Sequence, residues 1–256
     1  MLGAIAGDII GSIYEFANFK EYDFPLFAEE SFFTDDSVMT VAVADALMHD
    51  LDIAKTLKAY ALKYPNRGYG GSFYKWMHSN SLAPYNSWGN GSAMRTSAVG
   101  FHYTNETDVL NAARKFAEVT HNHPEGIKGA QATAFAIFLA RQGGSKADIR
   151  MAITNMFNYD LTQSIDEIRP KYGFDESCQG SVPQAITAFL ESGDFEDAIR
   201  NAVSLGGDAD TLACITGSIA EAYYGAIPPE IEAEVKKRLP EEFIKIIDKF
   251  YLMLEG

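Results

Sequence analysis

Two short acidic clusters carry the strongest chemical signal in this sequence. Thr34-Asp35-Asp36 precedes an apolar stretch with Val38, Val41, Ala42 and Ala46 at helical spacing, and Gly207-Asp208-Ala209-Asp210-Thr211 precedes another. Thr followed by two acids is a natural helix start. Its oxygen accepts an exposed N–H, and each carboxylate adds roughly 0.3–1 kcal/mol at the positive helix end. Capping needs one or two acceptors and no glycine pair, yet Gly206-Gly207 stands immediately before Asp208. Glycines there let the backbone approach a ligand or take positive φ. Consecutive oxygen donors also suit a hard cation such as Mg²⁺ or Mn²⁺. A lone Asp-x-Asp is a weak sign of metal binding. Two Thr/Asp clusters facing each other could bridge two cations about 3.5–4 Å apart. Taken singly, either cluster is served as well by capping as by metal binding.

Other residues carry weaker signals. Glu15 is read as the end of the first helix, with Asp8 two turns earlier on nearly the same face. Glu15 fits a solvated helix-end acid, and Asp8 a buried polar anchor between helices. Gly89-Asn90-Gly91-Ser92-Ala93-Met94-Arg95 forms a Gly-rich turn leading into apolar residues. Such a turn can offer backbone N–H groups to a phosphate, or be a plain surface turn. Arg95 would assist by charge or hold a neighbouring carboxylate. Thr120-His121-Asn122-His123-Pro124 places two histidines in a loop without the third ligand that zinc needs. His121 is therefore expected to line a pocket by hydrogen bonding, and His123-Pro124 to shape the next helix. With 13 Tyr and 17 Phe, some aromatic rings are expected to stack on a base.

The elements that must position these residues read as helices. Asp35 to His49 is one, and Gly129 to Arg141, apolar nearly all round, is a central buried one. Val182 to Leu190, Phe195 to Val203, Thr211 to Tyr224 and Pro229 to Leu239 follow, and Pro240 opens an amphipathic Glu241 to Leu254. Strand alternation is poor, and the region from Lys63 to Gly91 reads as long ordered loops. The expectation is one all-α domain over residues 1–256. A net charge of −14 makes duplex nucleic acid an unlikely partner. Cys178 and Cys214 show no metal-type spacing and suit unpaired thiols in a reducing compartment. No Lys or Arg precedes Lys20, and no apolar run is long enough to span a bilayer, so no secretory signal, no membrane and a cytoplasmic location are expected.

In order along the chain, these motifs resemble the ADP-ribosylglycohydrolases, of the dinitrogenase-reductase-activating and ADP-ribosyl-acceptor hydrolase type. The matching segments are Ala6-Gly7-Asp8 through Tyr14-Glu15, Thr34-Asp35-Asp36, Gly89 to Arg95, Thr120-His121, and Leu205 to Thr211, with a small-residue helix and closing Tyr-Gly-x-Ile-Pro over Gly217 to Pro228. The resemblance implies a single orthogonal helical bundle with two divalent cations, Mg²⁺ or Mn²⁺. Thr34, Asp35, Asp36, Asp208, Asp210 and Thr211 would be their ligands. It further implies a glutamate, Glu15, that approaches or gates the site. Gly89, Asn90, Gly91, Ser92, Met94 and Arg95 would serve the diphosphate and His121 the ADP-ribose. The expected activity is hydrolysis at C1″ of an ADP-ribose-bearing substrate, a modified protein or a small molecule, with Asp36 or Asp208 acting on the water. A non-catalytic ADP-ribose-binding module and another metal-dependent nucleotide or phosphoester hydrolase are the rival readings. The connection between Glu15 and Thr34 is short for the family.

Overall fold

The computed structural model describes residues 1–255, which form fifteen helices. In order they are α1 Leu2–Gly11, α2 Asp35–Met48, α3 Ile53–Lys63, α4 Gly71–Met77, α5 Gly91–Met94, α6 Ser97–His102, α7 Glu106–Glu118 and α8 Pro124–Arg141. There follow α9 Lys146–Phe157, α10 Ile165–Ile168, α11 Cys178–Glu191, α12 Phe195–Val203, α13 Ala209–Tyr224, α14 Pro229–Arg238 and α15 Glu241–Glu255. The only β pairing among the described residues is an isolated antiparallel bridge between Gly89 and Ser177. The all-α expectation holds.

The seam between α1 and α13 organises the molecule. Gly3, Gly7 and Gly11 recur every four residues and so share one face of α1. A Cβ on Gly7 would lie 2.0 Å from the Ala213 carbonyl, and one on Gly11 would lie 2.5 Å from Asp210 Cα. From the other side, a Cβ on Gly217 would lie 2.2 Å from the Gly3 carbonyl. Only hydrogen fits at these positions, so the two backbones touch. That contact draws the C-terminal half of α1 to the N-terminus of α13, where Asp208 and Asp210 stand.

The expected central helix is α8, longer than the sequence suggests because Pro124 can occupy its first turn and His123 Nδ1 caps it by accepting the Glu125 N–H. It packs against α5, α6, α7, α9, α11 and α13. Helix α2 starts where Thr34 Oγ1 accepts the Asp36 N–H at 3.3 Å, as the capping pattern predicts. The region from Lys63 to Gly91 contains the expected loops on either side of the short α4. One expectation needs correction. Helix α1 ends at Gly11, and Glu15 lies beyond it in successive turns from Ser12 to Asn18. The Ser12 hydroxyl bonds back to the Ile9 carbonyl, closing the last turn of α1.

Candidate metal centre and its cavity

The N-termini of helices α2 and α13 both line a cavity of about 340 Å³. Asp35 and Asp36 reach it from α2, and Asp208, Asp210 and Thr211 from α13. Single carboxylate oxygens of Asp8, Asp36 and Asp210 lie within 4.8 Å of one another, and those of Glu15, Asp208 and Asp210 form a second such group. The Thr211 hydroxyl lies 3.3 Å from Asp36 Oδ2. The two sequence clusters therefore meet, with Thr34 immediately behind Asp36.

Capping accounts for part of this wall only. Asp208 occupies the N-cap position of α13 yet makes no side-chain capping bond. Its Oδ2 accepts instead from Asn90 Nδ2 at 2.6 Å. Asp36 Oδ1 is buried without any hydrogen-bond partner. An orphaned buried carboxylate oxygen costs roughly 1–3 kcal/mol or more. Among the lining residues Arg95 is the only cationic side chain, and its guanidinium is engaged elsewhere.

The electrostatics follow from that imbalance. Burial, reinforced by the charges of neighbouring carboxylates, pushes Asp36 and Asp210 well above the usual carboxylate range. Burial raises Asp208 as well, against hydrogen bonds that lower it. Asp8 is pushed up to about 6 by burial, opposed by its bonds from Ser37 and Thr34. Glu15 is pushed up to about 7 by burial and by the charges of Asp208 and Asp8. Crowded acids with hard oxygen donors and no cationic neighbour fit a divalent cation, which stabilises their charged forms.

A second wall is the 89–95 turn. Gly89 and Gly91 expose backbone there, and a Cβ on Gly91 would come within 3.2 Å of His121 Nε2. The side chains of this turn mostly face inward. The Ser92 hydroxyl donates to the Gly126 carbonyl at 2.6 Å. Arg95, 1% exposed, donates from Nη2 to the Phe116 carbonyl and the Thr120 hydroxyl, tying down the C-terminal end of α7. Met94 lines the cavity. Both cysteines are unpaired and buried, and they brace the two ends of the turn: Cys178 Sγ donates to the Gly89 carbonyl and Cys214 Sγ to that of Met94.

His121 lines the cavity with Nδ1 2.8 Å from the Thr120 hydroxyl. Burial, then the nearby Arg95 charge, holds its pKa well below the ordinary value, so the ring is neutral. Gly206 and Gly207 adopt φ of 70° and 71°, as the glycine pair suggests.

Several further residues line the cavity or join its acidic cluster. Asp8 was expected to be an anchor, and it does bind the start of α2, but it also belongs to the acidic cluster. The Gly68 to Phe73 segment, Tyr85, Trp88, Phe174 and Glu176 also line the cavity. The Gly70-Gly71 pair was the available signal for the first of these. Phe174 stacks on the exposed Phe16 ring at 5.9 Å, beside Glu15.

The ADP-ribosylglycohydrolase family profile matches residues 1–255. The ADP-ribosylhydrolase ARH3 of Mus musculus is 27% identical, over 88% of this chain and 82% of that protein. An uncharacterized protein of Archaeoglobus fulgidus is 29% identical, over 76% of this chain and 72% of its own length. A solved structure, "ADP-ribosylglycohydrolase-related protein complex", superposes with a TM-score of 0.74 at 26% identity, covering 99% of this chain and 95% of that one.

Proposed function

Because the chain belongs to the ADP-ribosylglycohydrolase family, we propose that it hydrolyses the bond between C1″ of the distal ribose of ADP-ribose and an acceptor. Water supplies a hydroxyl to C1″ and a proton to the departing acceptor, and ADP-ribose is released. One observation carries this reading beyond family membership. Asp35 and Asp36 of the first cluster and Asp208, Asp210 and Thr211 of the second line one cavity, with Thr34 against Asp36 beside it, and Asp36 Oδ1 has no protein partner.

Thr34, Asp35, Asp36, Asp208, Asp210 and Thr211 would hold two Mg²⁺ or Mn²⁺ ions, which supply positive charge to polarise ribose hydroxyls and water. Asp36 or Asp208 orients the water and takes its proton. Glu15, raised to about 7, stands at the rim of the same acids. It is suited to change protonation near neutral pH and to gate the site. Backbone at Gly89, Asn90 and Gly91, which lines the same cavity, would receive the diphosphate. Neutral His121 offers a hydrogen bond without adding charge. Ser92 and Arg95 support this wall from behind.

The test is release of ADP-ribose from a panel of ADP-ribosylated acceptors, with Mg²⁺ or Mn²⁺ and with EDTA. Release that EDTA abolishes supports the reading. Tight ADP-ribose binding with no release from any acceptor would favour a binding module. Neither binding nor release would overturn the assignment of the cavity.

A further inference from the structure

Asp8 belongs to the acidic cluster, yet its oxygens are already committed. Oδ1 accepts the Thr34 hydroxyl at 2.6 Å. Oδ2 accepts the backbone N–H groups of Thr34 at 3.0 Å and Ser37 at 3.1 Å, together with the Ser37 hydroxyl. A carboxylate has about four lone-pair sites; the Thr34 N–H is shared with Oδ1 at 3.3 Å, so these four donors engage both oxygens. Asp8 is also fully buried on α1, whose depth is fixed by backbone contact at Gly7 and Gly11. It cannot turn towards the cavity without breaking the start of α2.

The consequence falls on Thr34. A hydroxyl has one proton and two lone pairs. With its proton committed to Asp8, Thr34 Oγ1 accepts the Asp36 N–H at 3.3 Å with one lone pair and keeps the other free, while Asp36 Oδ2 stands 3.5 Å away with no proton between them. Asp36 Oδ2 in turn lies 3.3 Å from Thr211 Oγ1. Two adjacent ligands of an octahedral Mg²⁺ stand about 3 Å apart, given metal–oxygen distances near 2.1 Å. These oxygens are therefore spaced for a shared cation, provided that the Thr34 proton stays out of the way.

We propose that Asp8 is a positioning residue and not a ligand: it draws the Thr34 hydroxyl proton away from the cavity and so presents Thr34 Oγ1 to a divalent cation held between α2 and α13. The inference rests on the metal reading above. An amide at position 8 would still accept through its oxygen, but its NH₂ would oppose the donors from Ser37 or Thr34.

Calorimetric titration of the chelator-treated full chain with MnCl₂ tests this, with apo stability measured separately. Asp8→Asn is expected to weaken Mn²⁺ binding about 10-fold or more, the usual range for groups that orient a ligand. Thr34→Val should do the same, while Thr34→Ser, which keeps the hydroxyl, should restore wild-type affinity. The double variant Asp8→Asn/Thr34→Val should bind no more weakly than the weaker single variant, because Asp8 acts through Thr34.

If Asp8→Asn fails to fold, the Thr34 variants decide, and unchanged affinity in folded Thr34→Val overturns the proposal. Wild-type affinity in folded Asp8→Asn, or additive losses in the double variant, also overturns it while leaving the metal reading intact. Absence of Mn²⁺ binding by the unmodified protein overturns the metal reading and this inference together.

Discussion

The two walls of the cavity are built by opposite rules. On the acidic wall the side chains face the cavity, held at the starts of α2 and α13 with their charge unbalanced by any cationic group. On the 89–95 wall the chemically prominent side chains of Ser92 and Arg95 turn into the protein, and Gly89 and Gly91 leave backbone at the surface of the cavity. The lesson is that a residue type identifies a wall, but only its hydrogen bonds tell which atoms remain to act. Asn90 joins the two walls, since its side chain crosses to Asp208 and to Ser181.

The comparison can be broken first on the acidic wall. Asp36→Ala or Asp210→Ala is expected to lower kcat by about three orders of magnitude, in the range for losing groups that stabilise a charged transition state. Apo stability should not fall, because each change removes one of several mutually repelling buried carboxylates. Steady-state kinetics and thermal melts of the same variants check both halves. Near-normal turnover with unchanged metal content would remove the acidic wall from the mechanism.

Next comes the seam that brings the acids together. Gly7→Ala places a Cβ against the Ala213 carbonyl at 2.0 Å, where only backbone movement can make room. The expected cost is about 3 kcal/mol or more, read by urea denaturation. On the 89–95 wall the expectation reverses, with stability affected more than chemistry. Arg95→Met strands the Phe116 carbonyl and takes one of two partners from the Thr120 hydroxyl, and should cost roughly 2–3 kcal/mol. Its kcat should change far less than that of the Asp36 variant, with any catalytic loss appearing in KM through Thr120 and His121.

The smallest effect is a pH dependence. Asp8 rises to about 6 in the fold from an unfolded value near 3.8, and Asp36 and Asp210 are raised well above the same ordinary value. Between these values the folded state holds more protons than the unfolded one, so their stabilising protons are lost as pH rises through about 4 to 6. Each unmatched proton changes stability by roughly 1.4 kcal/mol per pH unit. His121 acts in the opposite sense, because its folded pKa is depressed and stability falls as pH drops below about 6.5. A bound cation replaces the missing protons. The Mg²⁺-induced rise in Tm should therefore grow from pH 4.5 to pH 7, and a pH-independent rise would place the ion elsewhere.

The acidic wall was legible because each cluster combines a capping pattern with helical apolar spacing, so the starts of α2 and α13 could be read directly. The Gly3, Gly7 and Gly11 spacing is visible too, but it acquires meaning only once α13 is laid against it. Glu15 was misplaced because α1 stops at Gly11, where α1 already abuts Asp210, and nothing local to Ser12-Ile13-Tyr14 forbids another helical turn. The inward turn of Ser92 and Arg95 was not readable either. Helix α5 has only four residues, so no periodicity separates its faces. The clamp from Asp8 to Thr34 joins residues 26 positions apart across two helices, beyond any local rule.

The central claim is that the two acidic clusters form one cation site. An anomalous difference map from crystals grown with Mn²⁺ tests it most directly. The account predicts peaks at about 2.1–2.2 Å from oxygens of Asp36, Asp210 and Thr211. Mn²⁺ found only at surface carboxylates, with these oxygens hydrogen-bonded to protein or water alone, would contradict it.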